Sequence, residues 1–352
     1  MKATHLRIAP NRSGFTLVEV LVVVVIIGIL AALLLPAVTS AVRRARNAAI
    51  RMEVDSLSQA IEAYNLKYGD YPPDFSDWSL VTRHYRKIFP RINGSELLYL
   101  GTLTAQGSAV DRAEALVFAL GGFSADAEYP FSGPGGPLFV TVDNGNTIAS
   151  YNTERANALF DFEIKTLSLA NSSPIVDTID GDVFPDYRQD KESAPIVYFD
   201  SRTYFQPVDT DANGSFDDYN GYSHASGTIT DRFGIRPYLS NEPSTTGVPK
   251  FANSHTFQIL SPGIDGVFGT YFRSSLSGTT RTAYYFVFPT GAMLQTAKDF
   301  SDSSAPAITL VAGSNGYQES SYDPLGYGVS DNFQLDNVTN FAPGPLSGSI
   351  EE

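Results

Sequence analysis

The longest uninterrupted apolar stretch of the chain lies close to its N-terminus. From Phe15 to Leu35 there are 21 residues, and Glu19 is the only charged residue among them. An α-helix of this length is about 31 Å long, which matches the hydrocarbon thickness of a bilayer. The pattern therefore predicts a membrane-spanning helix with one carboxylate near its start.

Beyond this span, apolar residues recur at helical spacing. Six of them follow intervals of three or four residues: Ile50, Val54, Leu57, Ile61, Tyr64 and Tyr68. This spacing predicts that the helix continues to about Tyr68 and packs one face on a partner domain. A free coiled coil is the weaker alternative, because only about three heptads carry the pattern. Gly69 suits a left-handed cap, and Pro72 and Pro73 prevent the helix from continuing.

A secretory signal peptide is the alternative interpretation of a basic N-terminus followed by an apolar run. Here Gly14 precedes the run, and no small-residue cleavage site follows it. The run is also longer than the apolar core of a signal peptide, and it contains a carboxylate. These features favour an anchor that stays with the chain.

Residues 13–19, SGFTLVE, together with the apolar run behind them, resemble the class III leader of type IV pilins and type II secretion pseudopilins. The resemblance implies that a prepilin peptidase cleaves between Gly14 and Phe15 and that Phe15 becomes N-methylated. It also implies that Glu19 pairs with the Phe15 amine of a neighbouring subunit. Residues 64–72 further resemble the Y-x-x-x-x-G-x-Y-P helix exit of G-type major pseudopilins.

Orientation requires a choice between two signals. Four arginines at positions 43, 44, 46 and 51 follow the span and outnumber the bases of the leader. A simple count of positive charges would therefore place the large domain in the cytoplasm. The leader resemblance implies the opposite, with the N-terminus cytoplasmic in the inner membrane and the C-terminal domain periplasmic. We adopt the orientation that the leader resemblance implies.

The acidic balance of the C-terminal part narrows the classes of partner. Residues 93–352 carry 31 acidic and 12 basic side chains, and the chain contains no cysteine. A negative surface argues against nucleic-acid binding, which requires a positive one. Disulfides and thiolate metal sites are excluded, so an exported domain must rely on its core or on bound ions.

Turn signals and short apolar runs dominate the rest of the chain. A helical insertion is expected near 110–120, and strands are expected from residue 136 onward, for example at 138–142 and 196–199. The fold class is therefore α+β, with a long N-terminal helix packed on a β-rich globular C-terminal domain, as in a pilin fold with insertions. The predicted segments are a leader at 1–14, a transmembrane helix and filament core at 15–35, an amphipathic continuation at 36–68 and an exported domain at 69–352.

One aspartate-rich loop has the spacing of a calcium site. Oxygen-bearing side chains occupy positions 1, 3, 5 and 9 of an EF-hand-type loop: Asp209, Asp211, Asn213 and Asp217. Gly214 stands at position 6, where the sharp turn is needed. However, position 12 is Asn220 instead of glutamate, so a solvated turn is the alternative. Residues 177–186 contain a weaker version of the same pattern.

A further calcium site is implied by resemblance alone. Residues 231–238 look like the D-x-W/F-G-x-P-Y segment of G-type pseudopilins, with one extra residue before the proline, and residues 257–266 look like their L-x-S-x-G-x-D-G calcium loop. Carried over, the ligands are the main-chain oxygen of Leu260, Ser261 and Asp265. No acidic residue lies between 270 and 298, so the closing carboxylates are expected from Asp331 and Asp336.

Patterns of catalytic residues are poor. The four histidines lack metal-ligand spacing, residues 221–225 lack the last glycine of a G-x-S-x-G elbow, and no phosphate-binding glycine loop occurs. We therefore expect no enzyme. The resemblance to pseudopilins implies instead a filament subunit of a type II secretion pseudopilus. Its expected partners are copies of itself, other pseudopilins, prepilin peptidase, and the inner-membrane assembly platform with its ATPase. The alternatives are a surface type IV pilin with an adhesive role, or a pilin-anchored periplasmic binding protein or enzyme.

Overall fold

The computed structural model describes residues 16–102, 110–143, 146–169, 183–190, 193–204, 207–208, 218–219, 221–222, 235–241, 250–268, 280–288, 293–299, 307–310 and 336–346. The chain divides into two compact units, one ending at Arg46 and one beginning at Asn47. Helix α1 (Leu17–Tyr68) contributes to both units.

Among the described residues of the second unit, three further α-helices follow. They are α2 (Trp78–Ile88), α3 (Gly94–Thr102) and α4 (Ala115–Leu120). The side chain of Asp77 caps α2, because its Oδ1 accepts hydrogen bonds from the backbone N–H groups of Ser79 and Leu80 at 2.8 and 3.3 Å. Helix α4 lies in the predicted helical insertion, and every one of its residues is buried.

Helix α1 ends where the sequence predicts. Gly69 follows Tyr68 with φ of +73°, and its N–H donates to the carbonyl of Asn65 at 2.7 Å. This left-handed cap is a conformation that glycine adopts without a side-chain clash. Pro36 lies within α1 without ending it, and the hydroxyl of Thr39 donates to the Pro36 carbonyl at 3.0 Å.

Short strands make up most of the remaining regular structure. They are β1 (Leu138–Asp143), β2 (Asn146–Tyr151), β3 (Val197–Asp200), β4 (Pro207–Val208), β5 (Asp218–Tyr219), β6 (Leu239–Asn241), β7 (Lys250–Phe251), β8 (Phe257–Ser261), β9 (Thr280–Phe286), β10 (Met293–Asp299), β11 (Ala307–Leu310) and β12 (Val338–Thr339). The pairings between these strands are antiparallel. The predicted α+β class is confirmed.

The sheet β12–β8–β3 lies at the centre of the second unit and is buried on both faces. Its register pairs Thr339 with Leu260 and Leu260 with Val197. Alternate residues along a strand point to opposite faces. Accordingly, Tyr198 and Ile259 belong to one apolar cluster, while Val197 and Leu260 belong to another.

The first of these clusters contains the buried face of α1. The predicted stripe is buried from Ile50 to Tyr64, and Ala60 joins it, while Tyr68 is partly buried at its edge. The cluster also contains Val338 of β12 and Phe118 of α4. The amphipathic half of the helix therefore packs in one core with the central sheet, as its periodicity predicts.

The second cluster covers the opposite face of the central sheet with residues of later segments. It includes Tyr238, Phe251, Phe268 and Phe286. Gln258 of β8 is fully buried and forms three hydrogen bonds with this layer. Its Oε1 accepts from the Tyr238 N–H at 2.8 Å, and its Nε2 donates to the carbonyls of Tyr238 and Ala252 at 2.9 and 2.8 Å. The central sheet is thus an internal layer.

Candidate functional site

The N-terminal half of α1 presents apolar side chains to its surroundings along its whole length. Leu17 is 81% exposed, Leu33 is 68% exposed and Val42 is 47% exposed. Within the described part of the chain, α1 is the one helix long and apolar enough to cross a membrane. Water does not tolerate an apolar surface of this extent, so the segment requires lipid or protein around it.

The single carboxylate of this segment caps the first turn of its own helix. Thr16 precedes α1, and its N–H and hydroxyl each donate to Glu19 Oε2 at 2.8 Å. The Glu19 N–H in turn points to Thr16 Oγ1 at 3.3 Å. This reciprocal arrangement is a capping box, which satisfies backbone donors that the start of a helix leaves unpaired. The T-x-x-E spacing of residues 16–19 is the sequence signal of this capping box.

The predicted calcium loop lies at the end of β8, and the C-terminal segment reaches it. Asp336 Oδ2 accepts the N–H groups of Ile264 and Asp265 at 2.8 and 3.0 Å. Gly263 adopts φ of +74°, and a Cβ at this position would lie 2.2 Å from the Asp336 carbonyl oxygen. The close approach of the two segments therefore requires glycine at 263.

The described residues supply part of the expected ligand set. Leu260 and Ser261 end strand β8, and Ser261 Oγ accepts from Gln189 Nε2 at 2.6 Å. Asp265 is exposed, and its Oδ1 accepts the Val267 N–H at 2.9 Å. Among the residues that the structure describes, no three acidic or histidine side chains are grouped to hold a metal ion. Asp265 and Asp336 lie on adjoining segments, and calcium at this loop stays a prediction.

Several predicted residues fall outside the described part of the chain. These are Gly14, Phe15, Asp209, Asp211, Asn213, Asp217 and Asp331. Strands β4 and β5, which flank residues 209–217 in the sequence, pair with Val208 opposite Asp218. Of the weaker 177–186 pattern, Asp186 is described, and both its oxygens accept hydrogen bonds from Arg188 at 2.6 Å.

A buried carboxylate that the sequence analysis missed joins the end of α1 to the central sheet. Asp74 is 1% exposed, and its Oδ2 accepts from Thr203 Oγ1 at 2.6 Å, Arg112 Nε at 3.2 Å and the Asp200 N–H at 3.3 Å. Its Oδ1 accepts from the N–H and hydroxyl of Ser76. In sequence Asp74 has the appearance of a turn residue, because its partners Thr203 and Asp200 lie more than a hundred residues away.

A Tyr–His–Asp arrangement lies nearby but is not placed for catalysis. Tyr64 Oη lies 2.9 Å from His84 Nε2, and His84 Nδ1 lies 3.6 Å from Asp70 Oδ2. Burial lowers the pKa of His84 to about 4, which outweighs the opposing effect of Asp70. Burial also raises the pKa of Tyr64 well above its usual value, and this side chain is 0% exposed. A substrate cannot reach the hydroxyl, so the arrangement stabilises the fold.

Comparison with known proteins identifies the N-terminal part of the chain. The family described as the prokaryotic N-terminal methylation motif matches residues 9–35. The type II secretion system core protein G of Pseudomonas aeruginosa is 43% identical over 62 residues, which cover 18% of this chain and 44% of that protein. The chain therefore spans less than half the length of this relative. No solved structure matches the chain.

These matches agree with the resemblance found in the sequence. The apolar segment of α1, its capped Glu19 and the methylation motif together are similar to the N-terminal anchor of type IV pilin-like proteins. The chain is thus pilin-like and membrane-anchored at its N-terminus. The similarity to core protein G covers 18% of this chain, so most of the second unit has no counterpart in that match.

Proposed function

We propose that this chain is a structural subunit of a type II secretion pseudopilus, and that it is assembled through helix α1. The observation that carries the proposal is an exposed apolar helix with one carboxylate in its first turn, within a methylation motif. The partial identity to a type II secretion core protein supports it. Sister helices in a filament would cover the apolar surface that lipid covers before assembly.

Glu19 would set the register of neighbouring subunits. Prepilin peptidase would cleave between Gly14 and Phe15, and the new Phe15 amine, with a reference pKa near 8, would be mostly cationic at pH 7 (about 7.7–8.0 for an α-amino group). Within one chain, both Thr16 bonds go to Glu19 Oε2. We therefore expect Oε1 to remain available to the amine of the neighbouring subunit. Pairing with that amine would neutralise both charges away from water.

The proposed setting follows from this anchor. The N-terminus would lie on the cytoplasmic side of the inner membrane, and the domain that begins at Asn47 would be exported to the periplasm. Partners would be copies of the chain, other pseudopilins, prepilin peptidase, and an assembly platform with its ATPase. No enzymatic role is proposed, because Tyr64 and His84 of the Tyr–His–Asp arrangement are buried.

The proposal is tested at Glu19. Glu19→Ala should abolish filaments while the protein remains in the membrane, whereas Glu62→Ala, which removes an exposed carboxylate from the other half of α1, should assemble normally. Mass spectrometry of the mature protein should find methylated Phe15 at the N-terminus. Normal filaments from Glu19→Ala would refute the role of Glu19, and a product that still begins with Met1 would refute processing.

A surface type IV pilin with an adhesive role is the second candidate. The matched stretch is 44% of core protein G but only 18% of this chain, so the present chain carries a much larger remainder. Filaments that extend beyond the outer membrane, combined with normal secretion in a deletion strain, would favour this candidate. A pilin-anchored binding protein or enzyme would remain active and unassembled regardless of Glu19.

A further inference from the structure

The C-terminal segment 336–342 contacts two distant parts of the second unit, and we propose that it is a clasp that couples the 260–266 loop to helix α1. Arg51 on helix α1 is the positioning residue at one end of the segment, and Asp336, the first residue of the segment, holds the loop at the other end. The two side chains hold opposite ends of the same short segment. This inference does not depend on filament assembly or on calcium.

The loop end of the clasp is fixed by backbone and side chain together. The Asp336 carboxylate accepts the N–H groups of Ile264 and Asp265, and the Asp336 backbone lies against Gly263, where no Cβ could fit. Charge-assisted hydrogen bonds to a carboxylate are stronger than neutral ones. The segment therefore cannot leave the loop without exposing two backbone donors.

The middle of the clasp is a buried strand. Val338 and Thr339 are 0% exposed and pair with Ser261 and Leu260 of β8. The side chain of Asn340 extends this pairing, since its Oδ1 accepts the Ile259 N–H at 3.0 Å. A displacement at Asp336 must therefore pass along β12, because densely packed buried residues transmit strain.

The helix end of the clasp is held by one guanidinium. Arg51 Nη1 donates to the carbonyls of Thr339 and Ala342, which flank the turn after β12. The same guanidinium pairs with Asp55 one helical turn on, through Nε at 3.1 Å and Nη2 at 2.9 Å. Asp55 thus orients Arg51 on the helix surface, and the fork geometry lets one side chain bind the helix and the clasp at once.

Hydrogen–deuterium exchange of the full-length chain in detergent micelles tests the coupling. Asp336→Asn should accelerate exchange about tenfold in peptides covering 257–266 and also in peptides covering 47–57. Arg51→Gln should likewise accelerate exchange in peptides covering 47–57 and also in peptides covering 257–266. The matched controls are Asp161→Asn and Arg86→Gln, which alter exposed side chains of the same types. Neither control should change exchange at these two places.

The coupling is overturned if Asp336→Asn accelerates exchange at the loop while residues 47–57 exchange as in the control. Should Asp336→Asn fail to fold, Arg51→Lys gives an independent answer. Lysine keeps the charge but cannot bind Asp55 and both carbonyls together, so exchange at 257–266 should still rise. Unchanged exchange there would refute the clasp. In addition, the effects of Arg51→Gln and Asp336→Asn should be non-additive, although these side chains do not touch.

Discussion

The buried amide of Gln258 gives the sharpest test of how the central sheet is joined to the second apolar cluster. In Gln258→Met the side chain keeps a similar volume but loses its three hydrogen bonds to the second layer. The Tyr238 N–H loses the Gln258 acceptor and the Ala252 carbonyl loses the Gln258 donor, whereas the Tyr238 carbonyl still accepts the Ala252 N–H at 2.9 Å. Two buried backbone groups would thus be deprived of a partner.

The expected cost follows from that count. Each of the two backbone groups left without a partner costs about 1–3 kcal/mol. Methionine has no amide to bury, which offsets part of this cost. We therefore expect the free energy of unfolding to fall by about 3 kcal/mol. Because Gln258 joins β8 to the second apolar cluster, the loss should appear first in that layer. A local change of this size accelerates amide exchange about a hundredfold where the layer opens.

Hydrogen–deuterium exchange can compare the two apolar clusters in one experiment. Peptides covering 235–241 and 250–258 should exchange faster in Gln258→Met, while peptides covering 50–64 in the first core should remain protected. Gln59→Met is the matched control, because Gln59 is exposed on α1 and such a change is usually within about 0.5 kcal/mol of neutral. Equal exchange in the two variants would refute the role of Gln258, and faster exchange throughout would refute the separation of layers.

Two further predictions concern ions and protons. If the 260–266 loop binds calcium, Ca²⁺ at a hundred times its dissociation constant should raise the free energy of unfolding by about 2.7 kcal/mol. Asp265→Asn should remove this gain, whereas the control Asp161→Asn should keep it. A melting temperature that excess chelator leaves unchanged would contradict every predicted calcium site. Because burial lowers the pKa of His84 to about 4, the unfolded chain binds the extra proton between pH 6.5 and 4, and stability should fall as the pH falls through this range. The contribution of His84 to the slope of the unfolding free energy against pH approaches about 1.4 kcal/mol per pH unit. Urea unfolding at several pH values should show that this contribution vanishes in His84→Gln but persists in His255→Gln.

The sequence correctly predicted features that depend on neighbouring residues. The apolar run, the stripe from Ile50 to Tyr64 and the left-handed cap at Gly69 all follow from local composition and spacing, and the structure confirms the stripe and the cap. Asp336 was predicted as a calcium ligand at the 260–266 loop, and in the structure its carboxylate accepts N–H groups of that loop. Whether calcium binds there stays a prediction.

The polar contacts that organise the domain could not be predicted in the same way. Asp74, Gln258 and Arg51 look like ordinary turn or surface residues in the sequence, yet each joins separate segments. Asp74 binds Thr203, which is 129 residues away, and Arg51 reaches a carbonyl 288 residues away. A hydrogen bond carries no periodicity by which its partner could be recognised.

By itself the sequence determined the anchor and the length of its helix, because hydropathy and helical period are properties of consecutive residues. The tertiary structure decided that both faces of the central sheet are buried and that the C-terminal segment lies between β8 and α1. These outcomes depend on which distant surfaces exclude water together, and that is settled only when the whole chain packs.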